Sequence, residues 1–535
     1  MTVPIANPVV PGFNPDPSIC LVDGVYYLVT STFEYLPGLP VYRSTDLLSW
    51  EQIGNVATRD AQLRLAGLPA EGGVFAPTIR HHDGVFLVVT TVAGSRWNVV
   101  FRAADPAGPW DEGLELPGIS GIDPDLVWDG DGPDATAYVT YAGADLSGPE
   151  PRMLGIVQCR VDLSTGQALE EPRPLWQGTG LKFPEGPHVF RRGDHWYLML
   201  AEGGTERGHA VSIARGPTPS GPFEGCPRNP VLTAAGSPRR VQNTGHADLV
   251  PAPAAWGEGA CGEGAWAMVC LGARTSGVGQ RFTPFGRETF LTRVRWEDGW
   301  PVVDPVELGE PGPAVSVAHT FAAGRDLDAG WLGVRREAAA FASTEERDGW
   351  LVLHGPASSQ GGLDALDPAF LGRRQRHQGA RFTTRVDAGG GRGGLAMRSD
   401  EDHHVSLTVD GSGLVVARAR LRGLEQTWTA LVAGPLPELS LSVEPAGTGW
   451  GPGSDTLADT LVLSARSPGS PGSAGLPGSA GSEDPADPAW VEVARLDGRY
   501  WCMEVASHMT GRVFGLLAET GTVAFDALRY HGTDA

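Results

Sequence analysis

NPDPSICLVDGVYYLVTS, residues 14–31, sets an acidic residue among prolines, then a short strand, an Asp-Gly turn and an aromatic-rich strand. The same order returns four times. It reads APTIRHHDGVFLVVTT from Ala76, DPDLVWDGDGPDATAYVTY from Asp123, PEGPHVFRRGDHWYLML from Pro184 and HADLVPAPAAWGEGACGEGAWAMVCLG from His246. The key positions are 16, 77, 123, 185 and 246, spaced 61, 46, 62 and 61 residues apart. Between them VYRSTDLLSW (41–50), FRAADPAGPW (101–110) and SIARGPTPSGPF (212–223) each follow a strand and end on an aromatic residue. Near-constant repeats of strand, turn and strand are the mark of blades around an axis. Five of them predict a five-bladed β-propeller over residues 1–312. Two unrelated sandwiches would also use short strands, but nothing would then space them so evenly.

Composition agrees with an all-β chain. The 74 glycines and 44 prolines make up roughly a fifth of the 535 residues, which suits many tight turns. That length calls for two domains. The net charge of −22 argues against nucleic acid and anionic membrane as partners, since phosphate binding needs a basic face. The N-terminal MTVPIANPVV has neither a basic nor an apolar signal region, and no long apolar run is present. The six cysteines are scattered with no C-x-x-C pair, so reduced thiols in the cytoplasm are the expectation.

A propeller brings repeat-equivalent positions together at one end of its axis. Asp16, Asp123, Glu185 and His246 are therefore expected to converge. Each carboxylate precedes a Pro or Gly, which aims the side chain from a turn. Taken singly, an Asp before Pro is more often a turn former, and Glu185 could be a solvated loop charge. Three carboxylates at equivalent places are different: like charges repel, and the set persists where chemistry uses it. Hydrolysis of a glycosidic bond needs one protonated carboxyl and one carboxylate, with a nearby negative charge helping the first hold its proton. Asp125, two residues beyond Asp123, reads as an ordinary surface or turn carboxylate.

FNPDPSIC, STFEYLPGLPVYRSTDLLSW, APTIR, GIDPDL, FPEGPH, AEGGTERGH, NTGHADLV and FGRETF, in this order, resemble glycoside hydrolase family 43. The resemblance is to the β-xylosidase and α-L-arabinofuranosidase branch with a C-terminal sandwich, and it runs along essentially the whole chain. It implies an inverting reaction with Asp16 as general base, Asp123 as pKa modulator and orienter, and Glu185 as general acid. It further implies that Arg287 binds sugar hydroxyls and that Phe33 and Phe75 line the sugar pocket. Phe75 stands where many relatives have Trp or Tyr, which keeps stacking and loses a polar handle. His246 is implied to help hold a hydrated metal ion, usually calcium; as a plain residue it reads equally as a core histidine. Calcium prefers oxygen ligands, so such a site would be weak. No other cofactor is expected.

WPVVDPVELGEPGPAV (300–315) reads as a linker, and residues 313–535 as a second domain. WLVLHG (350–355), HHVSLTVDG (403–411), GLVVARARL (413–421) and LSLSVEP (439–445) alternate as antiparallel strands do. With RRQRHQGARFTTRVDAG before them they resemble the concanavalin-like β-sandwich (jelly roll) of this branch, which in relatives packs on the propeller and helps close the pocket. SPGSPGSAGLPGSAGSEDPADP (467–488) has too little apolar content for a core and reads as a disordered loop.

The function expected is an exo-acting inverting glycosidase releasing terminal xylose from short β-1,4-xylo-oligosaccharides. An α-L-arabinofuranosidase, alone or as a second activity, is the nearest alternative, because the two pentosides present similar hydroxyls. A sugar-binding propeller without catalysis is the alternative of another class, and the presence of all three carboxylates speaks against it. A small xylo- or arabinoxylo-oligosaccharide is the expected partner, and the sequence leaves a homo-oligomer open.

Overall fold

The computed structural model describes all residues except 1–3, 131, 133–134, 146–151, 257–263, 278–280, 358–361, 447–457, 468–489, 507–508 and 535. Most of the predicted loop at 467–488, and Cys261, lie outside the described residues. The chain divides into two compact units. The first is made of residues 1–68, 72–274 and 287–310, and the second of 69–71, 275–286 and 311–535.

Five antiparallel sheets make up the first unit, one per repeat. Their innermost strands are Ser18–Val22, Gly73–His82, Gly121–Asp129, Glu185–Arg192 and Val241–Pro251. Each repeat is a blade, and the unit is a five-bladed propeller. The ring closes where the N-terminal segment joins the fifth blade: the Val10 and Thr289 backbones exchange hydrogen bonds of 3.3 and 3.4 Å. Asn7 adds a second tie by donating to the Leu291 carbonyl and accepting its N–H.

The core follows from the two-residue period of the strands. In the second strand of blade two, Phe86 and Val88 pack toward blade one while Leu87 and Val89 pack toward blade three. Alternation of this kind gives one apolar wedge at each of the five blade interfaces, the last joining Val250 and Leu291 to Ile19 and Leu28. Each buried Val, Leu or Phe contributes about 1.5–3 kcal/mol. The recurring aromatics pin the turn after each third strand. Trp110 is buried and donates its indole N–H to the Pro106 carbonyl, and Trp50 does the same to Leu47.

One boundary differs from the sequence reading. Trp300–Val303 is not linker but the outermost strand of blade five, paired with the strand Glu288–Glu297. The Pro and Gly content of 300–315 hid a strand whose Trp300 is buried.

The second unit is the β-sandwich. Two long strands, Gly379–Arg398 and Val513–Thr533, pair along their length and run through both layers. The first half of Gly379–Arg398 pairs with Glu438–Pro445 and the second half with His403–Asp410. Between the halves the ladder slips at Asp387/Gly390, where three glycines follow one another. A Cβ at Gly391 would stand 2.0 Å from the Thr520 carbonyl oxygen, so the strands approach this closely only with glycine there. A core of Leu395, Leu407, Leu441, Leu463, Phe514 and Phe525 fills the space between the layers.

Candidate active site

The residues at one end of the axis are aimed by a repeated backbone irregularity. Ladder register slips between Val74 and Pro77, Ile122 and Asp125, Glu185 and His188, and Gln242 and Ala247. Asp16, Asp123 and His246 all adopt left-handed φ values, of 56°, 56° and 40°. In blades two to five a bulge at the head of the inner strand turns a side chain out of the sheet alternation. Asp16, Asp123 and His246 are thus equivalent in backbone conformation, and in blade four the left-handed position is Gly186, φ 54°, directly after Glu185.

Asp16, Asp123, Glu185, Arg287 and His246 come together. Asp16 is buried, accepts Arg287 Nη1 at 3.0 Å and the Ser31 hydroxyl, and lies 3.7 Å from His246 Nδ1. Asp123 accepts the Gly186 N–H at 3.0 Å. Burial pushes the Asp123 carboxyl up, and repulsion from Asp16 adds to it. Burial likewise raises Glu185, followed by repulsion from Asp123 and then Asp16, with Arg287 opposing. The pair titrates as one system. The Gly186 N–H stabilises the anion on Asp123, which leaves the shared proton to Glu185.

Arg287 is also buried; the same Nη1 donates to Thr205 Oγ1 at 3.2 Å, and the guanidinium carbon lies 5.4 Å from the Phe33 ring centroid. Phe33, with φ of 50°, sits 5.4 Å from Phe75 and 6.1 Å from Phe13, forming an aromatic wall. Thr205 was not singled out from the sequence. Its signal was its place in AEGGTERGH, a stretch noticed only as part of the resemblance.

Asp125 is the clear correction. It is fully buried, accepts Arg80 Nη2 at 2.7 Å and takes the Val189 N–H at 2.7 Å. Arg80 reaches further, to Asp248 at 3.0 Å, His188 Nδ1 at 3.1 Å and Ser18 Oγ at 3.4 Å. One guanidinium in blade two therefore holds residues from the other four blades. Ser18, Asp125 and Asp248 each follow a position of the upper tier, Asp16, Asp123 and His246, by two residues. In blade four the position two before His188 is Gly186, so Glu185 stands one residue earlier, where blade three has Ile122. Such a network of fork-shaped, charge-assisted bonds fixes the blades about the axis. The sequence signal was APTIR, whose arginine had no role assigned.

His246 is buried, and burial lowers its pKa to about 4, so its imidazole is neutral. Its ring lies against Gly186, where a Cβ would meet it at 3.0 Å. Among the described residues no group of three or more His, Cys, Asp or Glu side chains is arranged to hold a metal. Arg80 only donates, so His188 Nδ1 accepts from it and the ring proton sits on Nε2, a buried atom with no protein partner. A neutral imidazole beside an unsatisfied N–H does not fit direct calcium ligation, which needs six to eight oxygens. It fits a water.

A propeller whose axis ends in buried, mutually raised carboxylates beside an arginine and an aromatic wall defines a glycoside hydrolase. Residues 5–301 match glycosyl hydrolases family 43, and residues 319–444 match the β-xylosidase C-terminal concanavalin A-like domain. The chain belongs to glycosyl hydrolases family 43. It is 36% identical over 435 residues to a xylosidase/arabinosidase of Butyrivibrio fibrisolvens, covering 75% of this chain and 79% of that one. A non-reducing end α-L-arabinofuranosidase of Bacteroides ovatus is 37% identical over 427 residues, 75% of each chain. Among solved structures, a Bacteroides ovatus family 43 protein from a xyloglucan utilisation locus aligns over 99% of both chains. Its TM-score is 0.81 and its identity 30%.

Proposed function

We propose that this enzyme is an inverting exo-glycosidase that removes terminal xylose from short β-1,4-xylo-oligosaccharides. The observation that carries the reading is the raised carboxyl of Glu185 beside Asp123, with Asp16 paired to Arg287 in the same cluster. Asp16 acts as general base and takes a proton from water as the water oxygen attacks the anomeric carbon. Glu185 acts as general acid and gives its proton to the departing glycosidic oxygen. Asp123 keeps Glu185 protonated by its charge and orients it through the Gly186 N–H. Arg287 and Thr205 bond the sugar hydroxyls, and Phe33 and Phe75 face its apolar side.

Removal of arabinose is the second reading, favoured by the names of the two relatives above. Hydrolysis of 4-nitrophenyl β-xyloside and 4-nitrophenyl α-L-arabinofuranoside, side by side, separates them. The xylosidase reading expects the larger kcat/KM on the xyloside; a larger value on the arabinoside overturns it. A calcium ion at His246 would be held through water alone, and no step above passes through it. The five described cysteines are free thiols, which suits the proposed cytoplasmic location.

A further inference from the structure

The segment that delivers Glu185 exposes an aromatic ring that the propeller core does not use. Phe183 is 59% exposed and holds a left-handed φ of 53°, a conformation that a bulky residue seldom keeps without a reason. Lys182 Nζ lies 5.2 Å from its ring centroid, and the same ammonium pairs with Glu206 at 3.3 Å. Lys182 accepts the Gly203 N–H through its carbonyl at 2.7 Å, tying this segment to the loop that follows Glu202. That loop carries Thr205, the partner of Arg287, directly before Glu206. The trio of Phe183, Lys182 and Glu206 therefore borders the catalytic cluster on the side of Glu185.

The chemistry of the acid says what passes there. Glu185 must reach the glycosidic oxygen, and the leaving-group sugar hangs from that oxygen on the side away from the bound terminal sugar. Phe183 lies two residues upstream, within about 7 Å along the chain. Pyranose rings stack their C–H faces on aromatic rings, and a flanking ammonium and carboxylate can bond the hydroxyls at the ring edge.

We propose that Phe183 is the platform for the leaving-group pyranose, with Lys182 and Glu206 bonding its hydroxyls. The proposal rests on the xylosidase reading and names the group that discriminates between leaving groups. The test compares xylobiose with β-xylosyl fluoride, whose leaving group is a single atom, using full-length wild type, Phe183→Ala and Phe183→Tyr. In Phe183→Ala the ratio of kcat/KM for xylobiose over the fluoride falls about three- to tenfold, the scale of one lost aromatic contact. Phe183→Tyr restores it. A ratio that stays at the wild-type value in Phe183→Ala overturns the platform while leaving the xylosidase reading intact. A wild-type enzyme inert on both substrates overturns that reading, and the platform with it.

Discussion

Asp123 accepts the backbone N–H of Gly186 at 3.0 Å, so its carboxylate holds the residue directly after Glu185. One contact thus supplies both the position and the electrostatic field of the proposed acid. In Asp123→Asn the amide oxygen can still take that N–H while the negative charge is gone. Burial and the charges of Asp123 and Asp16 raise Glu185, so removing one charge lowers it. The alkaline limb of kcat/KM against pH is expected to move to lower pH. An unshifted limb would reject the modulating role.

Glu185→Gln removes the proposed proton donor. Xylobiose hydrolysis is expected to fall by about 10²–10⁴-fold. A 2,4-dinitrophenyl xyloside, whose leaving group departs without protonation, should lose far less. Equal losses on both substrates would argue against acid catalysis by Glu185.

The same substitution has a stability signature of opposite sign. Glu185 has a folded pKa raised above its unfolded value, so its contribution is full below the ordinary carboxylate pKa and is lost as pH rises through the folded value. Glu185→Gln stays neutral throughout. Its melting temperature is expected to exceed that of the wild type increasingly as pH rises, with the gap closing in acid. Parallel melting curves from pH 5 to pH 9 would contradict this.

Arg80 binds two buried carboxylates, and Arg80→Met would leave Asp125 and Asp248 without their counter-charge. The loss is expected to be about 3–5 kcal/mol, seen as an earlier unfolding transition of the propeller. Asp248 gives the pH side of the same network. Burial would raise it, but the Arg80 charge, the Arg80 hydrogen bond and the Ile19 N–H prevail and take it to about 2. Its stabilisation is present above the unfolded value and lost as pH falls from about 4 to 2. Asp248→Asn should therefore shrink the acid-induced loss of stability across that range. An undiminished acid transition would separate Asp248 from it.

Gly186 is held at a φ of 54° with the His246 ring 3.0 Å from where a Cβ would stand. Gly186→Ala is expected to displace His246 or the Gly186 N–H and to lower kcat more than it raises KM. Wild-type kinetics in this variant would show that the close approach is dispensable.

The ordered repeats made the propeller legible, because blade formation needs only alternating strands and turns at near-constant intervals. The three carboxylates were legible for the same reason, since repeat position is a spatial statement in a closed ring. Asp125, Arg80, His188 and Asp248 were not. Their roles arise from side chains of five different blades meeting below the upper tier, and DPDL reads the same whether its second Asp faces water or a guanidinium. Thr205 escaped because a single threonine in a glycine-rich loop carries no signal until Arg287 is beside it. Trp300–Val303 was hidden by Pro301, which an outermost strand tolerates because one edge has no partner to bond.

The central claim is that Asp16 activates water on one face of the sugar while Glu185 protonates the leaving oxygen on the other. Proton NMR of the first-formed sugar during hydrolysis of xylobiose tests it most directly. Single displacement predicts that α-xylose appears from the newly cleaved unit before mutarotation. Initial release of that unit as β-xylose, beyond the anomeric mixture carried by the reducing-end unit, would mean a double displacement, and would contradict the roles given to Asp16 and Glu185.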